Sequence, residues 1–180
     1  AEDADVVIEL TKIFLKELKN QKLYNYFMAI EIDLLPVLIN MQFNGIFVDK
    51  DYLAIRSDEI GIKIDALHNE ITKLADQDFN VNSSQQLAQI LFDKLELPMI
   101  KKRSTAEAVL SELKHKHELP KLVLEYRKLF KLKNTYLDPI PTNINPISNR
   151  VHSSFNQTMT ATGRLSSSSP NFQNIPIRTE

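Results

Sequence analysis

The densest group of hydrogen-bonding side chains lies near the end of the chain, from Thr158 to Arg178. This polar track contains four consecutive serines at 166–169, two arginines and no Asp or Glu. Hydroxyl, amide and main-chain N–H groups position the phosphates and sugars of a nucleic acid, and an Arg can also reach a base edge. A solvated Ser-rich linker would have the same composition. Composition alone therefore leaves a nucleic-acid track and a linker open.

Charge is distributed unevenly, although the net charge is only −1. Residues 1–93 carry 8 Lys and Arg side chains against 16 Asp and Glu, a balance of −8. Residues 94–133 carry 11 against 5, a balance of +6. Charge runs often belong to solvated faces. A basic segment in an otherwise acidic chain is also typical of a protein with one face for nucleic acid.

Long helices are predicted to carry the basic segment. Asp49 is a suitable N-cap, and after it an apolar residue returns every seven positions at 53–74, which predicts a helix of about 25 residues. A second apolar stripe runs over 122–137. Pairing the two stripes gives a long antiparallel helical arm. The alternation at 150–156 predicts a small β segment, so the expected fold is mainly α.

Two shorter helices are predicted between the long ones, each with a capping sequence at its start. Ser83 is followed three residues later by Gln86, and Ser104 by Glu107, which is a capping box. Capping alone explains these residues. The free N–H groups at a helix start also bind phosphate, and a basic run at 101–103 directly precedes the second start. Phosphate binding and simple capping both stay open on these residues.

One face of the second long helix carries Arg127, Lys131 and Asn134, which are four and three residues apart. The opposite face is the apolar stripe. Such a face is either simply solvated or turned to a nucleic-acid backbone.

The order of residues in four segments resembles the family A DNA polymerases of the bacterial DNA polymerase I type. The segments are TATGRLSSS at 160–168, PNFQNIPIR at 170–178, FNVNSSQQL at 79–87 and LEYRKLFKLKNTYLDP at 124–139. The resemblance spans essentially all 180 residues. It implies three parts, namely the end of a 3′–5′ exonuclease domain at 1–22, a thumb domain at 23–142 and the start of a palm domain at 143–180.

The resemblance also implies which residues contact primer-template DNA, the expected partner. They lie at the two helix starts, on one helix face and along the polar track. They are Asn82, Ser83, Ser84, Lys102, Arg103, Ser104, Thr105, Arg127, Lys131, Asn134, Thr160, Thr162, Arg164, Ser166, Asn171, Gln173 and Asn174. In the family, the residue at position 164 reads the minor-groove face of the terminal primer base pair. Arg178 is expected to contact the nucleotide.

Catalysis by such a polymerase requires two divalent metal ions, here expected to be Mg²⁺, held by carboxylates. The acids after residue 93 fall in no metal-binding motif; they are Glu96, Glu107, Glu112, Glu118, Glu125, Asp138 and Glu180. Asp3 matches a metal-binding aspartate of the exonuclease domain, but one Asp cannot hold a divalent metal alone. A favourable charge near a helix N-terminus is the other role open to it.

We therefore expect a fragment of a DNA-directed DNA polymerase that binds primer-template DNA in replication and repair. The fragment is expected to bind no metal and to be inactive alone, whereas the full-length enzyme would use Mg²⁺ and deoxynucleotides. The competing interpretation is a self-contained, non-enzymatic DNA-binding module.

Composition narrows the setting in which this protein works. The absence of cysteine excludes disulfides and thiolate metal sites. No apolar run reaches the roughly 18–20 residues of a membrane span, and the acidic first residues do not form a signal peptide. We expect a monomer without a membrane partner, in the bacterial cytoplasm at the nucleoid, with an organelle as the alternative.

Overall fold

The computed structural model describes residues 2–175, which are mainly helical. The helices are α1 (Glu2–Asn20), α2 (Tyr24–Tyr26), α3 (Asp33–Asn44), α4 (Lys50–Ala75), α5 (Ser84–Ala88), α6 (Glu107–Leu113), α7 (Glu118–Leu132) and α8 (Pro139–Thr142). Single π-helical turns follow α2, α5 and α7, at Phe27–Ile32, Gln89–Lys94 and Lys133–Leu137. The strands are β1 (Ile46–Phe47), β2 (Arg150–Val151), β3 (Ser154–Asn156) and β4 (Ser166–Ser168).

The described residues form two compact units. The first contains 2–47 and 143–175, and the second contains 48–142. These two units are defined by contacts between residues. The three domains expected from the sequence are instead implied by the resemblance to the family. The domain boundaries after residues 22 and 142 therefore stay a prediction.

The second unit contains the predicted antiparallel arm, formed by α4 and α7. Ser57 lies near the start of α4 and contacts Lys133, just after the end of α7. Farther along α4, the ring of His68 lies 6.1 Å from the ring of Tyr126 in α7, measured between centroids. Residue numbers therefore increase along α4 in the direction in which they decrease along α7, so the two helices are antiparallel. The fold class expected from the sequence is confirmed.

The core of the second unit is the apolar interior between α4, α5, α6 and α7. Its fully buried side chains include Ile71, Leu87, Leu91, Leu110, Leu113, Leu119 and Val123. The heptad stripe of α4 is buried at Ile60, Ile64 and Ile71, but Leu74 is 39% exposed and Ala75 takes its place. A helix has 3.6 residues per turn, so a strict seven-residue repeat drifts off the buried face near the end of the helix.

The first unit contains both small sheets, each with two antiparallel strands. In one sheet Ile46 pairs with Val151 and Phe47 with Arg150. The other sheet joins β3 to β4, with Phe155 opposite Ser167. Three residues of the four-serine run, Ser166–Ser168, form this second strand.

The turn between α3 and β1 requires a glycine. Gly45 has φ of +64°, and a Cβ at this position would lie 2.8 Å from the ring of His152 and 2.9 Å from the carbonyl oxygen of Val151. His152 is held there because Nδ1 lies 2.7 Å from the carbonyl oxygen of Gln42 and Nε2 lies 2.7 Å from Oγ of Ser148. The glycine thus lets the end of α3 pack directly against the histidine.

One helical stretch in the described part of the chain, Tyr24–Asn44, is long and apolar enough to cross a membrane by length and composition. This corrects the expectation that no stretch reaches that length, since helical structure continues through Pro36 and the π turn. Helices of globular proteins reach the same length and apolar composition, so this stretch does not by itself indicate a membrane span. The expectation of no membrane partner stays a prediction.

Candidate nucleic-acid interface

The loop before α5 is held by its own polar groups. Ser83 Oγ accepts the N–H of Gln86 at 3.4 Å, so Ser83 is the N-cap that the sequence predicts. The N–H of Asn80 donates to Oε1 of Gln86 at 2.7 Å, and the N–H of Asn82 donates to Oδ1 of Asn80 at 2.9 Å. Asn82 and Ser84 are exposed. A loop fixed in this way loses little entropy when its exposed groups meet a ligand.

The loop before α6 is held by an ion pair. The guanidinium of Arg103 donates two hydrogen bonds to the carboxylate of Asp93, at 2.6 and 2.7 Å. This hydrogen bonding lowers the pKa of Asp93 and raises the pKa of Arg103. Lys102, with φ of +50°, is exposed beside it. The pair fixes the loop at the surface, where both basic residues stay accessible.

The capping box predicted at Ser104 and Glu107 is wrong. Helix α6 begins at Glu107, with Ala106 as its N-cap and no side-chain capping bond. Ser104 Oγ accepts the N–H of Ala106 at 3.3 Å, which makes a turn ahead of the helix. Thr105 between them is only 4% exposed. The segment is drawn inward at Thr105, so the helix starts too late for Ser104 to cap it.

Arg127 connects these two loops. Its Nη1 donates to the carbonyl oxygen of Thr105 at 2.8 Å, and its Nη2 and Nε donate to the carbonyl oxygen of Val81 at 3.2 and 3.4 Å. Burial lowers the pKa of Arg127. A guanidinium engaged with two carbonyls fixes both loops against α7. Its predicted direct contact with DNA stays a prediction.

The remaining predicted residues of this helix face are accessible. Lys131 is exposed, and Asn134 is exposed while its amide donates to the carbonyl oxygen of Phe130 at 3.0 Å. Tyr126 also reaches toward the first loop: burial raises its pKa, and a hydrogen bond with Asn82 opposes that shift. The second unit thus places Asn82, Ser84, Lys102, Arg103 and Lys131 at its surface.

In the first unit, the polar track up to Ser168 completes a hairpin with β3, and amide side chains that follow Ser168 hold this hairpin. Ser167 is 4% exposed, and its Oγ accepts the N–H of Phe172 at 2.9 Å and lies 3.3 Å from Oδ1 of Asn171. Gln173 accepts the N–H of Ser167 at 3.2 Å and donates to the carbonyl oxygen of Leu165 at 2.5 Å. These bonds argue against a flexible linker.

Arg164 lies in the turn of this hairpin. The hydroxyl of Thr160 donates to the carbonyl oxygen of Arg164 at 2.5 Å, and Gly163 has φ of +73°. A Cβ on Gly163 would meet no atom within 4 Å, so the glycine serves the backbone conformation. Arg164 and Thr162 are exposed. No hydrogen bond or ion pair of the Arg164 guanidinium occurs among the described residues, so this cation is available to a ligand.

The site residues predicted nearest the two ends of the chain are Asp3 and Arg178. Asp3 is exposed on α1. In the part of the chain that the structure describes, no three His, Asp or Glu side chains come together in a way that could hold a metal ion. Arg178 lies outside the described residues. The remaining predicted contacts, Ser166 and Asn174, belong to the hairpin and the turn after it, where Asn174 is exposed.

Sequence reasoning missed a polar cluster at the base of the arm. Ser57 is 6% exposed and donates to Oδ1 of Asp138. Lys133 donates to Ser57 Oγ and to Asp138, the latter at 3.1 Å. The hydrogen bond from Ser57, followed by that from Lys133, lowers the pKa of Asp138. Lys133 and Asp138 lie 76 and 81 residues after Ser57 along the chain. The feature of the sequence that could have predicted this cluster is a serine within the apolar stripe of α4.

Comparison with known proteins identifies the family. The family model for DNA polymerase family A matches residues 50–180. DNA polymerase I of Pseudomonas aeruginosa is 48% identical over 186 residues, covering 99% of this chain and 20% of that protein. DNA polymerase I of Borreliella burgdorferi is 45% identical over 183 residues, covering 100% of this chain and 20% of that protein. The chain belongs to DNA polymerase family A.

A solved structure supports the same conclusion. The POL domain of Pol1 from M. smegmatis, in complex with DNA primer-template and dNTP, matches with a TM-score of 0.92 at 33% identity. The match covers 98% of this chain and 32% of that domain chain. The chain therefore spans about a fifth of the length of the curated relatives that it matches.

Proposed function

We propose that this chain is the primer-template-binding part of a DNA-directed DNA polymerase. In this proposal residues 1–22 end an exonuclease domain, 23–142 form the thumb and 143–180 begin the palm. The family match and the similarity to a polymerase domain solved with primer-template support it. The chain supplies binding, and the parent supplies Mg²⁺-dependent nucleotidyl transfer on carboxylates outside the described residues.

The observation that carries the proposal is the pair of loops joined by Arg127. Because one guanidinium bonds to Thr105 and Val81, the exposed groups around Asn82 and Lys102 are fixed on the same unit. Amides, hydroxyls and lysines are the groups that contact phosphate and sugar without reading sequence. We infer that these loops hold the duplex backbone, which a polymerase must do on any template.

The hairpin of the first unit supplies a second kind of contact. Arg164 is exposed, and its backbone is fixed by Thr160 and Gly163. In the minor groove, A·T and G·C pairs in either orientation present acceptors at similar positions. An Arg placed there tests the shape of a base pair without choosing its sequence. We propose this role at the primer terminus for Arg164.

The test is Arg164→Ala in the full-length parent, measured with matched and mismatched primers. Turnover on matched primers is expected to fall at least tenfold, about 1.4 kcal/mol of barrier, and mismatched primers should lose less. Arg164→Lys should restore little, because an ammonium lacks the planar fork. Arg56→Ala, an exposed arginine on α4, is the matched control. An unchanged ratio of matched to mismatched extension would contradict the role.

We further propose that the parent works as a monomer in the bacterial cytoplasm, at the nucleoid. The bacterial origin of its relatives supports the compartment. Extension assays with deoxynucleotides and Mg²⁺ should show activity for the full-length parent and none for the 180-residue chain.

A further inference from the structure

A groove of about 700 Å³ lies between α6 and α7. Five cationic side chains and two carboxylates, those of Glu107 and Glu125, line it, a balance of +3. The cations are Arg127, already bonded to two carbonyls, and four lysines at 114, 121, 128 and 131. Of these lysines, only Lys131 belongs to the DNA-contact face that the sequence predicts.

Three of the lysines form one row on α7. At 3.6 residues per turn, Lys121, Lys128 and Lys131 lie within an arc of about 80°. This arc lies opposite the buried positions Leu122 and Val123. The row therefore faces away from the core and along the groove.

The row has little to neutralise it. Lys121 lies 4.0 Å from the carboxylate of Glu118, and both side chains are 64% exposed, so this ion pair contributes little. Lys114, Lys128 and Lys131 take part in no ion pair among the described residues. A strip of positive charge with one weak, exposed ion pair raises the local concentration of polyanions.

We infer that this groove is a second binding site for the sugar-phosphate backbone of DNA. It is continuous at Lys131 with the predicted DNA-contact face of Arg127, Lys131 and Asn134. The inference rests on the proposed function and adds Lys114, Lys121 and Lys128 to it. From Lys121 to Lys131 the helix rises about 15 Å. Because each strand of a duplex carries one phosphate for about every 3.4 Å of the duplex axis, the row is long enough to meet several phosphates. Lysines suit this task because they contact phosphate as point charges without directional demands.

The lining favours nucleic acid over an acidic protein. Interfaces between proteins depend on aromatic or other large anchors in fully buried pockets. The apolar residues lining this groove are Leu110 and Leu124, and no aromatic side chain is among the residues that line it. A groove with five cations and no aromatic anchor in its lining fits a phosphate backbone.

The experiment compares Lys121→Gln/Lys128→Gln with Lys50→Gln/Lys63→Gln in the 180-residue chain. The control removes the same charge from exposed α4 positions outside the groove. Binding of a fluorescein-labelled primer-template duplex is followed by anisotropy over a range of salt. The groove variant should bind at least about fivefold more weakly at low salt, and its log–log salt slope should be shallower by about 1.8, that is 0.9 for each lost phosphate contact.

Each other outcome overturns the inference in a distinguishable way. If both variants bind the duplex alike with the same slope, the groove is no DNA site and the proposed function stands. If the unmodified chain does not bind the duplex, both proposals fail. If poly-glutamate binding falls in the groove variant while duplex binding does not, the groove binds acidic polypeptides instead.

Discussion

Replacing Arg127 separates a structural from a direct role in DNA binding. Its guanidinium donates hydrogen bonds to the carbonyl oxygens of Thr105 and Val81. A hydrogen bond to a charged group contributes about 1.5–3 kcal/mol, and a buried carbonyl left without a partner costs about 1–3 kcal/mol. Because the side chain is partly buried, we expect Arg127→Ala to lower the free energy of unfolding by about 2–4 kcal/mol. Arg127→Lys should lose most of the same stabilising free energy, because one ammonium group cannot reach both carbonyl oxygens as the planar guanidinium does.

The assays are urea denaturation and duplex binding of the same variants. DNA affinity should fall for Arg127→Ala because both loops lose their shared support, while the salt slope stays nearly constant. A direct phosphate contact would instead make the slope shallower by about 0.9. Arg56→Ala, which removes an exposed i,i+3 pair with Glu59, should change stability by less than about 0.5 kcal/mol. An Arg127→Ala chain as stable as Arg56→Ala would refute the reasoning.

Two further substitutions test packing and ionisation. Gly45→Ala places a Cβ 2.8 Å from the His152 ring at a positive φ. The substitution should lower the free energy of unfolding by about 1–3 kcal/mol, measured by urea titration. An unchanged free energy of unfolding would mean that the turn relaxes freely. Asp138 has a lowered pKa in the folded protein, caused first by its hydrogen bond from Ser57. The ionised carboxylate therefore stabilises the fold above the unfolded-state pKa of about 4. This stabilisation is lost as the pH falls from there through the lower folded-state pKa. Unfolding followed from neutral to acidic pH should show this loss, and Asp138→Asn should be less stable at neutral pH with a flatter acid dependence; parallel pH profiles would contradict it.

The helical arm could be predicted because its signals are local. Asp49 caps α4 by accepting the N–H of Tyr52 at 2.9 Å, as its residue type suggests. The apolar repeat placed the buried face of α4 correctly until the drift near Leu74. Ser83 likewise caps α5 as predicted. Local capping chemistry and helical periodicity were enough for these elements.

The errors arise where distant residues decide the local structure. Ser104 fails to cap α6 because the carbonyl of Thr105 is bonded to Arg127, 22 residues away. The sequence did not predict the strand in the serine run, which forms because β3, 10 to 14 residues earlier in the chain, pairs with it and Gln173 holds it from the other side. Family motifs named Arg127 as a DNA contact but could not show that its guanidinium is engaged in bonds within the protein.

Direct titration of the 180-residue chain with primer-template DNA tests the central claim, that this chain holds a duplex through its phosphates. Two duplexes of equal length and unrelated sequence are compared by anisotropy from low to high salt. We predict similar affinities for both and a linear fall of log affinity with log salt, at about 0.9 per neutralised phosphate. A binding constant that does not change with salt, or binding confined to one sequence, would contradict the account.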